Sequence, residues 1–154
     1  MSLAVYSPLS GDLAALGKVP DPVFAAQMVG SGLAVEPPRD TGPVDVVAPV
    51  AGVVVKLHPH AFVLQTANGT GILVHVGIDT VRLNGEGFRT HVAEGDQVDI
   101  GQTVITFDPA AVHAHGLSAI CPVVVLDSQP GSAQPPALTG PIRTGALMFS
   151  WAAS

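Results

Sequence analysis

The dipeptide Asn68-Gly69 stands between two apolar runs, Ala61-Phe62-Val63-Leu64 and Ile72-Leu73-Val74-His75-Val76. Both residues tolerate the positive φ of a type I′ turn, so the pattern predicts a β-hairpin with these two residues as its loop. In that register Ala67 faces Thr70 and His75 faces Phe62. Alternation then places His60, Phe62 and His75 on one face, with the two histidines as diagonal neighbours ~7–8 Å apart at the backbone. A three-residue loop would change the parity and separate them. An imidazole inside so apolar a run must be hydrogen-bonded or put to use. Two imidazoles converging on one small group is the functional reading.

The rest of the chain supports a β fold. Its 154 residues include 17 Gly and 14 Pro, a dense punctuation that suits short strands and turns better than helices. Hydrophobic residues make up 47% and charged residues only 12%, enough apolar surface for a full core. The net charge of −6, with only six scattered Lys and Arg, argues against nucleic acid and favours a partner with a basic surface. Cys121 is the single cysteine, within Ile120-Cys121-Pro122-Val123, and reads as a buried structural thiol. No apolar run approaches the length of a membrane span, and residues 1–8 lack the basic-then-apolar pattern of a signal peptide. A cytoplasmic location without membrane insertion is therefore expected.

Two short patterns recur. Ser7-Pro8-Leu9-Ser10-Gly11 is echoed by Ala48-Pro49-Val50-Ala51-Gly52, and Val98-Asp99-Ile100-Gly101 by Ile142-Arg143-Thr144-Gly145. The offsets are 41 and 44 residues, nearly equal, which suggests two interlocked copies of one small β unit. A helix is predicted from Asp21 as N-cap and Pro22 at the first position to Val29, with Gly30 beyond its end. A second runs from Asp108-Pro109 to Gly116 by the same logic. Residues 36–44 and 128–136 are Pro-rich loops. His91, His113 and His115 are expected to be exposed, and Trp151 to anchor a C-terminal strand.

The stretch Val74-His75-Val76-Gly77-Ile78-Asp79-Thr80-Val81, followed by Leu83-Asn84-Gly85-Glu86-Gly87-Phe88, resembles the glucose-type IIA component of the bacterial phosphoenolpyruvate–sugar phosphotransferase system. So do Val47-Ala48-Pro49-Val50-Ala51-Gly52, His60-Ala61-Phe62, Glu94-Gly95-Asp96-Gln97-Val98 and the segment from Ser7 to Phe24. The resemblance covers residues 5–126 in order, with a weaker tail over residues 137–151. It implies one domain over residues 1–154: an all-β, antiparallel sandwich or barrel of the duplicated hybrid motif type, with short helices. It also implies that His75 accepts a phosphoryl group from the phosphocarrier HPr and passes it to a cysteine on the IIB domain of a IIBC sugar permease of the glucose, N-acetylglucosamine or maltose class. His60 would then support the transfer without being phosphorylated. Three positions depart from the family pattern. His58 stands where the family often has a Thr that hydrogen-bonds the second histidine, Ser31 where many members have an acid, and Arg82 where some have Glu.

For docking, Phe62, Val74 and Val35 are the expected apolar surround of the histidine pair, with Asp79 and Glu86 as an acidic rim. No cofactor is required by this chemistry. His60 and His75 form a partial zinc site that a partner or solvent would complete. One competing reading is a lysostaphin-like zinc peptidase built on His75, Asp79 and His113-Ala114-His115. It requires the last pair on a strand, whereas the sequence predicts a helix there. Another is a biotinyl or lipoyl carrier, for which Lys56 lacks the flanking tight turn. A third is a regulator that binds other proteins without transferring phosphate.

Overall fold

The computed structural model describes residues 2–39 and 41–153. The strands are β1 (Ser2–Tyr6), β2 (Gly11–Ala15), β3 (Gly30–Glu36), β4 (Val44–Val47), β5 (Gly52–His58) and β6 (Ala61–Gln65). After them come β7 (Gly71–His75), β8 (Phe88–Thr90), β9 (Gln97–Val98), β10 (Thr103–Phe107), β11 (Cys121–Leu126), β12 (Gly140–Ile142) and β13 (Leu147–Ala152). Two short helices, α1 (Pro22–Ala25) and α2 (Pro109–Ala114), join them, with 3₁₀ turns at Leu16–Lys18 and Thr80–Leu83. Eight strands form one antiparallel sheet in the order β12-β2-β3-β11-β7-β6-β5-β9; β4-β10-β8 and β1-β13 form two smaller ones. The all-β architecture with minor helix is as expected.

The sequence repeats correspond to a repeat in space. The large sheet is symmetric about its centre, with β12-β2-β3-β11 on one side answering β9-β5-β6-β7 on the other. Gly11 opens β2 opposite Ile142, as Gly52 opens β5 opposite Val98. A Cβ at Gly11 would lie 2.1 Å from the Glu36 carbonyl oxygen, and one at Gly52 would lie 2.4 Å from that of Gln65. Each repeat therefore needs glycine where its strand begins, because a neighbouring backbone occupies the side-chain space. The loops match as well: the Gly145 amide donates to Ser7 and the Gly101 amide to Ala48, both at 2.9 Å.

The β6–β7 hairpin differs from the predicted register. His75 pairs with Ala61 and Val74 with Phe62, so the loop is the three residues Ala67-Asn68-Gly69 closed by Thr66 and Thr70. The Thr66 hydroxyl accepts from the Thr70 amide at 3.2 Å, and Gly69 alone takes the positive φ, at 84°. These side-chain and backbone bonds favour the longer loop over the type I′ turn. Phe62, Leu64, Ile72 and Val74 consequently face the main core, while Leu73 lies on the opposite face of the sheet. There it meets a second, smaller cluster of Leu16, Val19, Phe24, Ala34, Ile78, Ile120 and Val124, carried partly by the crossover between β2 and β3.

That crossover holds the shorter of the two helices. Asp21 caps α1 by accepting from the Val23 and Phe24 amides, as the sequence predicted, but the helix ends at Ala25 rather than Val29. Gln27 has a φ of 56°, and the Met28 amide turns back to Val23, so the chain leaves the helical path early to enter β3. Asp108 caps α2 by accepting from the Ala110 amide, in agreement with the predicted second helix.

Candidate functional site

His75 is the last residue of β7, next along the sheet's second face from Leu73. Its surroundings are set by the turn that follows. Gly77 has a φ of 78°, and a Cβ there would lie 2.5 Å from Thr80 Cγ2, so only glycine fits. The turn is pinned where the Thr80 hydroxyl donates to the Val76 carbonyl at 2.7 Å and the Ile78 amide to Ser118 at 2.9 Å. In this conformation the Gly77 carbonyl meets His75 Nδ1 at 2.5 Å. A carbonyl can only accept, so Nδ1 carries the proton and Nε2 is left with a free lone pair. The fixed tautomer makes Nε2 the nucleophilic atom of this ring.

His60 reaches the same place by a route the hairpin parity did not foresee. It is not a strand residue: Pro59 and His60 form the two-residue loop between His58 of β5 and Ala61 of β6. Freed from strand alternation, its ring lies 5.3 Å from that of His75, nearly edge-on at 68°. The Val76 amide donates to the His60 carbonyl at 2.7 Å and ties the loop to the end of β7. The two histidines are thus adjacent even though the loop has three residues.

The pair is electrostatically biased towards neutrality. Burial lowers the His75 pKa, partly offset by its bond to Gly77 and by the charges of Asp21 and Asp79. The His60 pKa is pushed down to about 4, first by burial and then by the neighbouring imidazoles of His75 and His58. Both rings therefore stand at neutral pH as free bases.

Other candidates fall differently. Phe62, Val74 and Val35 are at most 1% exposed and belong to the main core, so they are not part of the site's surface. The one-residue change of register turns Phe62 away from the face that carries His75, while Val74, the strand neighbour of His75, faces away from it by alternation in either register. The ring touching His75 is instead Phe24 of α1, with centroids 5.4 Å apart. Val23 and Met28 on the same crossover stand exposed, as does Val81 just after Asp79. Asp21 and Asp79 are the acids whose charge reaches His75, whereas Glu86 pairs with His115 at 2.5 Å. The roles of Asp21 and Phe24 were hidden in the sequence, because helix capping and core packing account for both residues without any site.

The peptidase ligand set is not assembled. His113 and His115 lie on and just after α2, and His115 is bound to Glu86. His113 is only partly exposed, contrary to expectation, and its Nε2 is buried near the Glu36 carboxylate, whose pKa burial raises. His91 and His115 are exposed as expected. Among the described residues no cluster of three or more His, Cys, Asp or Glu is placed to hold a metal. Lys56 lies within β5 opposite Val63, not at a hairpin tip, which removes the carrier reading. Cys121 is fully buried, and its thiol is pushed up to about 12 by burial, as befits a structural residue.

Comparison with known proteins agrees with this geometry. The family model for the phosphoenolpyruvate-dependent sugar phosphotransferase system, EIIA 1, matches residues 3–130. The glucose-specific EIIA component of Halalkalibacterium halodurans is 45% identical over 123 residues, covering 79% of this chain and 69% of that protein. The glucosamine-specific EIICBA component of Bacillus subtilis is 46% identical over 119 residues, which are 76% of this chain and 18% of that longer protein. Among solved structures, the glucose permease IIA from Mycoplasma capricolum superposes with a TM-score of 0.85 at 32% identity, covering 97% of this chain and 96% of its own. With its duplicated β fold and paired histidines, the chain belongs to the EIIA 1 family of the phosphoenolpyruvate-dependent sugar phosphotransferase system.

Proposed function

We propose that this protein is a phosphocarrier: His75 takes a phosphoryl group from phosphorylated HPr and hands it to the cysteine of a IIB domain. The observation that carries this reading is the bond from His75 Nδ1–H to the Gly77 carbonyl, which leaves Nε2 free as the attacking atom. In the first step the P–N bond to the donor imidazole breaks as a P–N bond to Nε2 forms. In the second that bond breaks as the IIB cysteine, reacting as a thiolate, forms a P–S bond. Phosphoryl transfer needs chiefly positioning and charge stabilisation, not bond-making by extra groups. His60, its ring 5.3 Å from that of His75 and without its own charge at neutral pH, supplies a ring N–H to the phosphoryl oxygens.

The docking surface is the rim around His75, with exposed Val23, Met28 and Val81 as apolar contacts. Asp21 and Asp79 supply the acidic groups that meet a basic partner. Such an encounter is small and transient, and its on-rate falls as salt rises. Relatives whose names join EIIA to EIIC and EIIB in one chain support a IIB domain as the acceptor. Fused relatives are named as glucosamine-, N-acetylglucosamine- and glucose-specific components, so the choice of sugar belongs to the partner. Regulatory binding to other proteins would use the same rim.

The test is phosphorylation from phosphoenolpyruvate through the general enzyme and HPr. The wild type takes up one acid-labile phosphoryl group, and His75→Gln takes up none. Labelling of His75→Gln at the wild-type level would overturn the assignment.

A further inference from the structure

His60 is central to the proposed transfer, yet its ring has no hydrogen-bond partner among the described residues. His75 is different: its ring is fixed by the bond to Gly77 and by the edge of Phe24. A side chain in a two-residue loop, with its backbone tied through its carbonyl to Val76, retains rotamer freedom unless something packs on it. What packs on it is His58. The two rings are 5.5 Å apart at their centroids and 25° from parallel, on top of the edge-on contact with His75. His58 is itself well placed for this. It closes the β5–β6 ladder against Ala61, and the following Pro59 restricts its backbone to extended conformations.

We propose that His58 is a positioning residue for phosphoryl transfer: its ring face, stacked on that of His60, holds the His60 ring towards His75 in place of a hydrogen bond. The inference rests on the phosphocarrier reading and adds to it a residue that touches neither the phosphoryl group nor His75. Stacking of this kind restrains orientation through the shape and quadrupole of the ring, so any flat aromatic side chain should serve. A hydrogen-bonding or charge-based role would instead need a ring nitrogen.

His58→Ala and His58→Phe separate these cases. Each variant and the wild type would be phosphorylated through HPr, then mixed rapidly with IIB domains of the glucose and N-acetylglucosamine classes. In parallel, the ring protons of His60 would be followed by NMR in the unphosphorylated proteins. His58→Ala should take up the full phosphoryl group but pass it on about tenfold more slowly at saturating IIB, with KM unchanged, as expected for a misoriented group. His58→Phe should stay within about twofold of wild type. The His60 ring protons should show stacking-induced upfield shifts in the wild type and in His58→Phe, and lose them in His58→Ala. Onward transfer by His58→Ala at the wild-type rate overturns the proposal. So does a His58→Phe variant as slow as His58→Ala, since a ring nitrogen would then be the active feature. If the wild type takes no label from HPr, the phosphocarrier reading fails and this inference with it. If the wild type is labelled and passes phosphate normally but His58→Ala does too, only the role of His58 is lost.

Discussion

The two histidines of the site differ in what holds them, and their substitutions should differ accordingly. The His75 ring is locked as the Nδ1–H tautomer by Gly77, whereas the His60 ring meets the rings of His58 and His75 and makes no hydrogen bond among the described residues. His60→Gln should therefore still be phosphorylated by HPr but transfer to IIB about a hundred- to a thousandfold more slowly, the range for losing one positioned donor. Single-turnover transfer in both directions measures this, and equal rates would make His60 an ordinary packing residue. The same pair offers two nitrogens of a tetrahedral zinc set, and the described residues bring no third His, Cys, Asp or Glu to complete it. Calorimetry should show weak zinc binding that vanishes with either His60→Gln or His75→Gln. Tight binding that survives both but is lost on replacing His113 or His115 would revive the peptidase reading.

At the scale of elements, the site depends on a strand end and on two tight turns. The β7 strand delivers His75 to the outer face of the sheet, and the Gly77 turn aims the carbonyl that sets its tautomer. Gly77→Ala would force a Cβ into a φ of 78° and against Thr80. The expected cost is about 2 kcal/mol or more, read by denaturant unfolding. The rate of phosphoryl uptake should drop with it, because the turn can no longer hold its carbonyl on Nδ1. Unchanged uptake in a destabilised Gly77→Ala protein would mean that the tautomer is set without this turn. The β5–β6 loop makes the complementary contribution. Two residues, Pro59 and His60, are too few to continue strand alternation, and this lets His60 turn towards His75 from a position whose parity points elsewhere.

For the whole molecule, the site is a cost that the fold absorbs. Both histidines have their pKa lowered in the folded state from 6.5, His60 to about 4. Between those values the unfolded chain binds protons that the folded chain does not, so these groups make stability fall as pH is lowered. Their effect is absent above about pH 7, grows as pH falls below 6.5, and for His60 is complete near pH 4. The melting temperature should decline through this window, and the decline should be shallower in His60→Gln and in His75→Gln. An unchanged slope in both variants would show that other groups carry the acid sensitivity. The duplicated sheet tolerates this cost because its central strands are apolar on both faces: Val123, Val124 and Val125 of β11 are fully buried, flanked by β7 and β3.

Much of this protein was already determined by its local sequence. Gly and Pro spacing announced a β fold, the echoed Pro-to-Gly patterns announced the duplication, and Asp21 and Asp108 marked the starts of both helices. These are short-range effects of backbone conformation, so a few neighbouring residues suffice to specify them. The hairpin register was not specified in this way, because the Thr66–Thr70 bonds competed with Asn68-Gly69 for the loop and shifted it by one residue. That one step sent Phe62 inward, away from His75, and it left Phe24, a residue far from His75 in sequence, to pack against its ring. The convergence of His58, His60 and His75 was likewise a tertiary decision. It depends on where two turns and a strand end meet, and on which polar groups lie near enough to bond, and neither is encoded in any single stretch of the chain.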